Sequence, residues 1–473
     1  MGTINAAFYL ITGALEADQS ALDIVANNVA NANTPGYTRE VPNWKENVPA
    51  QIGSVSYGTG VSQTGPSSVR DRVLEERLAQ QQQAQSGTSA RLGALESVQA
   101  LFTPSSGSAS SIAGDIGSDI TGFFNSFASL EANPSDPSLR NQVLATARAL
   151  AGDISNTAAN LNCQITSIDQ QVASITNQVN SLTGAIAKLN QEIEGTSPDG
   201  DAGSLEDERQ LDLARLSQLI GLNQIKTENN GISITTMTGE LLVSEGTSYA
   251  ITTAGVNGDT HFLLGGKDIT PGLTGGGGQI GGLLTARDQD IPQVLNKLDE
   301  LAYGLSTQVN ALNNGGSDLN ENSGTAANPL YIFAEPTAVM GSAVKMSVLM
   351  SDPSQIAAAK TGEGAGDNAN ARALAVLGRS AIISGMTPAG FYSNLVTGLG
   401  STVAQVQIED TVQSDSVAQL QTLRNALSGV NLNDEAAFMQ QFERSYQAAS
   451  QIFAILNRIM ASAINLGAQT SVS

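Results

Sequence analysis

The chain has 473 residues, 41% of them hydrophobic, which is enough for two or more domains with cores of their own. A formal net charge of -22 disfavours nucleic acid and anionic lipid surfaces as partners. One cysteine, Cys163, and one histidine, His261, exclude an intramolecular disulfide and most metal sites or nucleophile–base pairs built on those residue types.

Taken from the N-terminus, Ile4, Phe8, Ile11, Leu15, Asp18, Leu22, Val25 and Val29 step by alternating four and three residues. That stripe predicts an amphipathic helix, capped by Thr3 and about 39 Å long, with a coiled-coil seam. Asn27, Asn28, Asn31 and Asn33 suit the end of such a helix, and Thr34-Pro35-Gly36 fits a type II turn, since proline sets the first central position and glycine the second. Asp18 breaks the apolar seam and is a candidate register device, or else a residue facing a polar channel. The following stretch to Thr64, rich in glycine and proline and carrying the lone Trp44, reads as irregular.

Helical patterns follow near Val73–Phe102, Ile112–Leu130 and Leu139–Leu150. The longest seam then runs without a miss through Leu161, Ile165, Ile168, Val172, Ile175, Val179, Leu182, Ile186, Leu189 and Ile193, a rod of about 50 Å. Cys163, two residues past a core position, faces outward or toward a flanking helix as a small filler. From Gly231 to Thr253 the period becomes two, which predicts one or two β-hairpins. Gly275 to Gly278 interrupt the chain as a hinge before a helix near Ile280–Leu312. The VKMSVLM segment from Val344 is strand-like, and helices resume over Ala369–Leu377 and Ser393–Leu427. The last ladder is Phe438, Phe442, Ser445, Ala449, Ile452, Leu456, Ile459 and Ala463. The expected class is mainly α with a smaller β part, coiled-coil-like helices from both chain ends, and a helical-bundle domain with β-hairpins. Apolar patterning at both extremes, over 400 residues apart, reads as ends brought together or buried in an assembly. Burial of one seam against the other falls short of the entropy of ordering both helices, so the ends are expected to fold fully only on joining neighbouring copies.

Several local patterns fail as chemistry. The run around Asp199 has Gly203 where a calcium loop needs an oxygen and Ser204 where it needs glycine, and DLNENSG at Asp318 lacks the closing glutamate, so the latter is a turn. His261 in its HFLL segment reads as structural, and Glu206 with Glu208 as a solvated helix face. No catalytic residue, cofactor or metal is expected. No apolar run reaches the roughly 18 residues of a membrane span, so membrane insertion is not expected either. The first basic residue is Arg39, so the positive region of a cleaved secretory signal is missing.

The stretch ALDIVANNVANANTPGYTRE resembles the N-terminal signature of the axial proteins of the bacterial flagellum. LEDERQLDLARLSQLIG, GGQIGGLLTARDQD, DLNENSG, SDPSQIAAA, GDNANARALAVL and VNLNDEAAFMQQFERSYQAASQIFAILNRIM follow in the order seen in the FlgK family, the first hook-associated proteins. The resemblance covers nearly the whole chain. It implies a structural protein that polymerises helically at the hook tip and forms the hook–filament junction. It also implies an inner domain of residues 1 to 64 with 428 to 473 lining a central channel, a helical domain of 65 to 324 with 366 to 427, and an outer domain reduced or absent in 325 to 365. The partners it implies are further copies of the chain, the hook protein, the next hook-associated protein, and an export chaperone on the C-terminal helix. The location it implies is extracellular, at the junction, after unfolded export through the flagellar type III apparatus. On this reading the polymer contacts are the seam positions, with Asn28, Asn31, Pro35 and Gly36 shaping the end of the first helix. A hook or distal rod subunit, or a cytoplasmic coiled-coil adaptor, are the alternatives.

Overall fold

A computed structural model describes residues 2 to 52, 54 to 102, 115 to 196, 201 to 256 and 259 to 469. Long helices dominate, and the strands form small antiparallel sheets. The chain divides into two compact units, one of Met1–Gln83, Gln178–Ile251 and Gln413–Ser473, the other of Ala84–Asn177 and Thr252–Val412.

The first unit begins with α1 (Gly2–Ala30). The turn expected after it is present: Tyr37 N–H donates to the Thr34 carbonyl at 3.2 Å, and Gly36 takes φ +84°, which a residue with a Cβ rarely adopts. The segment expected to be irregular is instead a ribbon of β1 (Glu40–Glu46) and β4 (Val61–Ser68), with β2 (Ala50–Ile52) and β3 (Val55–Tyr57) at its tip. Its prolines mislead because Pro42 and Pro66 lie opposite each other in a two-stranded ribbon, where an edge strand can spare an N–H. A register shift between Asn43 and Trp44 accommodates Gly65 at φ +96°.

Next comes α2 (Arg72–Ala100), of which the part to Gln83 belongs to this unit. In the second unit, α3 (Ile116–Ala132) starts where Asp115 accepts from Gly117 N–H, and the first residues expected in that helix, 112 to 114, lie outside the described ones. The two separate helices expected over 139 to 193 are one, α4 (Pro137–Thr196), about 90 Å long, because a lone Gly152 costs only about 1 kcal/mol in a helix interior. Its seam positions from Leu161 to Ile193 are buried or half-buried. Cys163 is exposed, as its offset predicts.

The C-terminal part of α4 joins the first unit, with α5 (Ser204–Leu219) and a four-stranded sheet of β5 (Leu222–Lys226), β6 (Ile232–Thr236), β7 (Leu241–Ser244) and β8 (Thr247–Ser248). The period-two stretch thus forms two hairpins, β6–β7 and β7–β8, in a meander with β5. In the second unit β9 (Ile251–Val256), β10 (Asp259–Leu264) and β11 (Lys267–Asp268) make a three-stranded sheet. On it, His261 Nδ1 lies 2.7 Å from Asp268 Oδ2; hydrogen bonds from Thr270 first, and from His261 next, draw the carboxyl of Asp268 down to about 2. Then come α6 (Thr270–Leu273), α7 (Gly278–Thr285), a π-helical turn at Ala286–Asp290 and α8 (Ile291–Asn314). The glycines let backbones touch, since a Cβ on Gly282 would sit 1.9 Å from the Gly87 carbonyl oxygen.

Buried asparagines on α8 hold the segment that follows. Asn310 donates to the Phe333 carbonyl at 2.9 Å and accepts from Phe333 N–H at 3.0 Å, and Asn313 donates to the Leu330 carbonyl at 2.7 Å and accepts from Ala357 N–H at 2.9 Å. Two short strands, β12 (Gly316–Ser317) and β13 (Ala359–Lys360), pair beside them, and Asp318 closes its turn by accepting from Asn320 and Asn322 N–H at 2.8 Å each. VKMSVLM does not form the expected strand. The Asp299 carboxylate accepts from Gly341 and Ala343 N–H at 2.7 Å each and caps a helical turn, α9 (Ser342–Lys345), leaving one bridge from Val348 to Phe333. The core of this unit is aromatic, with the rings of Phe124, Phe127 and Phe333 each within 5.5 Å of Phe123. The chain ends through α10 (Ala369–Leu377), α11 (Pro388–Ser428) and α12 (Leu432–Gln469), the last again in the first unit.

Candidate functional site

The two chain ends meet. Phe8 of α1 packs edge-on against Phe453 of α12 at 5.4 Å, while Ala21, Leu22 and Val25 surround Phe442. Low numbers on one helix face high numbers on the other, so the pair is antiparallel.

The expected seam positions are placed as follows. Val25 and Asp18 are buried, while Phe8, Ile11, Leu15 and Leu22 are half-buried. Val29 is exposed, and the side chain of Ile4 lies outside the described residues. On α12, Phe442 and Ala449 are buried and Leu456 is half-buried, whereas Phe438, Ile452 and Ile459 are exposed. The stripe of α1 that turns inward is Ala17, Asp18, Ala21, Ile24, Val25 and Asn28.

The end of α1 is a polar junction. Asn28 donates to the Glu40 carbonyl at 2.8 Å and accepts from Glu40 N–H at 2.9 Å, so one carboxamide pins the start of β1 to the helix. The same amide group donates to Glu435 Oε2 at 3.1 Å, and the Tyr37 hydroxyl donates to Asn28 Oδ1 at 2.8 Å. Arg39, the next residue of the chain before that pinned strand, donates through Nε to Glu435 Oε1 at 2.6 Å and lies 5.3 Å from the centre of the Phe438 ring. Its N–H donates to the Ser428 carbonyl at 2.9 Å. Trp44 of β1 meets Phe442 at 5.9 Å. Asn31 shapes the turn itself, donating to Asn27 Oδ1 at 2.9 Å and accepting from the Thr34 hydroxyl at 3.1 Å. Pro35 is exposed, and the Gly36 carbonyl accepts from Arg424 Nη2 at 3.1 Å.

Electrostatics follow from burial. The Tyr37 hydroxyl is pushed up by burial and by the carboxylates of Glu40, Asp207 and Glu435, so it stays a proton donor. Burial also raises Glu40, against a hydrogen bond from Asn27. Behind the ribbon, Asp207 accepts from Thr38 N–H at 3.0 Å, and Arg70 bridges Glu206 and Asp207. Glu206 is therefore not on the solvated face expected for it, although Glu208 is exposed. Burial opposes the Glu206 charge, yet Asn230, Arg70 and Arg72 hold its carboxyl below the usual range.

Sequence reasoning missed Arg39, Tyr37 and Glu435. Extending the α12 ladder one step toward the N-terminus, from Phe438 to Glu435, lands on the buried carboxylate, so a charge in phase with an apolar seam was the available signal. Among the described residues no group of acidic, histidine or cysteine side chains could hold a metal, and no helix is long and apolar enough to cross a membrane.

Comparison with known proteins adds two family matches: residues 107–327 match the flagellar hook-associated protein FlgK helical domain, and residues 8–38 match the flagella basal body rod protein family. The chain is 23% identical to flagellar hook-associated protein 1 of Escherichia coli, over 96% of this chain and 98% of that protein. It is 26% identical to the protein of that name from Bacillus subtilis, over 96% of each. The solved flagellar hook junction protein FlgK from Burkholderia pseudomallei shares the fold, with a TM-score of 0.65 at 17% identity over 75% of this chain and all of that one.

Proposed function

We infer that this chain, a member of the flagellar hook-associated protein FlgK family, is a structural protein of the bacterial flagellum that forms the hook–filament junction, with its paired terminal helices as the assembly surface. The observation that carries this reading is the state of α12. Among its described side chains only Glu435, Phe442 and Ala449 are buried, while Ile452, Ile455 and Ile459 are 46%, 54% and 48% exposed, and Tyr9 of α1 is 80% exposed. Large aliphatic side chains left open along one helix are the mark of a surface that another molecule covers.

In this reading the covering molecules are further copies of the chain, with residues 1 to 64 and 428 to 473 as the inner, channel-lining part. Residues 65 to 324 with 366 to 427 form the surrounding helical domain, and an outer domain is reduced or absent in 325 to 365. The hook protein lies on one side and the next hook-associated protein on the other. Before assembly an export chaperone takes the α12 face, and the chain leaves the cell unfolded. The role is structural, and no catalytic chemistry is invoked.

Two measurements test it. In a strain lacking the protein, the parent chain should restore filament attachment and motility, and Ile452→Asp with Ile455→Asp and Ile459→Asp should not; restoration by the triple variant overturns the assembly surface. Backbone amide exchange on the monomer should be faster in residues 1 to 30 and 438 to 469, held only by the α1–α12 pair, than in the seam from Leu161 to Ile193. Ends protected as strongly as the seam would replace completion of folding in the assembly with docking of a finished pair.

A further inference from the structure

The buried residues of α12 fall at Glu435, Phe442 and Ala449, one heptad apart each, and half-buried Leu456 continues the row. On the facing helix, Ala7, Ala14 and Ala21 also recur every seven residues. A heptad-periodic contact constrains register weakly: sliding α12 by seven residues, about 10 Å, again sets its inward row, which beyond Glu435 is the apolar Phe442, Ala449 and Leu456, against the alanine row of α1. Apolar packing alone therefore leaves at least three registers open.

Glu435 removes the degeneracy. It is 0% exposed, and both carboxylate oxygens are used, one by Arg39 and one by Asn28. Those two donors do not move independently, because Asn28 grips the backbone of Glu40 at both N–H and carbonyl and so fixes Arg39 beside itself. A one-heptad slip in one direction carries Glu435 to the level of Ala21, in the contact around Val25 and Phe442. A slip in the other direction carries it past the end of α1 at Pro35. The first leaves a buried carboxylate without its cation, and the second takes Glu435 away from both of its donors.

We propose that the Asn28–Arg39–Glu435 clasp is the register pin of the terminal helices: it selects one of several heptad alignments, and so determines which apolar side chains of α1 and α12 remain outward together. Asp18, in phase with the α1 seam, is buried as well, but its opposite number by the antiparallel pairing is the exposed Ser445, so a slip costs it nothing comparable. The inference concerns the single chain and holds or fails independently of the assembly reading.

Cysteine cross-linking of the full chain reads the register directly. With Cys163→Ser as background, Phe8→Cys is combined in turn with Tyr446→Cys, Phe453→Cys or Met460→Cys, which lie one heptad apart on α12. The parent should cross-link at 453 alone. Glu435→Gln, which keeps shape and the Asn28 bond, and Glu435→Leu should each lower the preference for 453 over 446 and 460 by at least about tenfold. Arg39→Glu with Glu435→Arg should return the product to 453, while Asp18→Ala should leave it there. Cross-linking confined to 453 in both Glu435 variants overturns the proposal. So does loss of all three products, which would make the clasp the source of docking energy rather than of register. Failure of the charge exchange, or spreading in Asp18→Ala, overturns it too.

Discussion

Two clusters of phenylalanine in this chain are finished to different degrees. In the second unit Phe123, Phe127 and Phe333 pack ring to ring with no exposed surface, and Asn310 satisfies the backbone that brings Phe333 in. In the first unit Phe438 stacks on Phe442 yet stays 37% exposed, and the helix beyond it keeps its isoleucines outward. The difference is that α3, α8 and α10 pack together around the first cluster, whereas among the described residues the named side-chain partners of α12 come from α1, Arg39 and Trp44 of β1. A region that completes its core within the chain encodes stability. One that leaves half a core open encodes a contact with something else.

The comparison breaks most visibly at Phe123. Phe123→Ala leaves a cavity beneath two other rings and should cost about 3–5 kcal/mol, read as an early unfolding step assigned to residues 84 to 177 and 252 to 412 by amide exchange. Amides of α1 and α12 should be unaffected in that experiment; loss of their protection as well would mean that the two clusters do not report separately.

Next in size is the polar junction. Arg39→Ala strands the Glu435 carboxylate in a buried position and should weaken local closure of α1 and α12 by about 2–3 kcal/mol, less than a fully enclosed pair because Arg39 reaches solvent. The expected signature is faster amide exchange confined to those helices and β1. A change within about 0.5 kcal/mol would show that water already substitutes for the guanidinium.

A smaller effect is pH-dependent and belongs to the second unit. Burial, the neighbouring Asp153 and the charge of Asp115 push the Asp119 carboxyl up to about 7, beside Tyr392. A carboxyl whose pKa is higher in the folded state favours folding while it is protonated. Its contribution is full below about pH 4 and is lost as pH rises toward 7. Asp119→Asn should therefore raise the melting temperature by about 1–3 °C at pH 8 and change it little at pH 4. An equal shift at both pH values would point to packing instead of charge.

Periodicity made the helices legible, because seams such as Leu161 to Ile193 are long and uninterrupted, and the turn at Pro35-Gly36 is local chemistry. The ribbon after α1 was not legible, since its prolines pair across two strands and only the partner strand reveals that they are tolerated. The same holds for the asparagine clamps. Asn28 on Glu40, Asn180 on Ile251 and Asn310 on Phe333 each grip one residue through its N–H and its carbonyl, from 12, 71 and 23 positions away. Nothing in a chain rich in polar amides marks Asn180 or Asn310 in advance, or shows that Asn28 would grip Glu40. The junction was visible only in part: Asn28 stood out beside a helix end, while Glu435 and Arg39 acquire their meaning from a contact across 396 residues of chain.

The smallest stability effect is also the most discriminating. Ile455 is 54% exposed, and its replacement by aspartate removes no buried contact, so the isolated chain should keep its stability within about 0.5 kcal/mol. If α12 is an unfinished core, the same change places a charge where a neighbouring copy must bury an apolar surface, and incorporation at the hook tip should fail. Phe123→Ala inverts the pattern: a chain rescued by low temperature should still assemble, because its assembly surface is intact. Measuring unfolding and filament attachment for both variants separates stability from assembly in one matrix. Loss of both properties in Ile455→Asp would mean that the exposed isoleucines hold the monomer together, and the two regions would then differ only in degree.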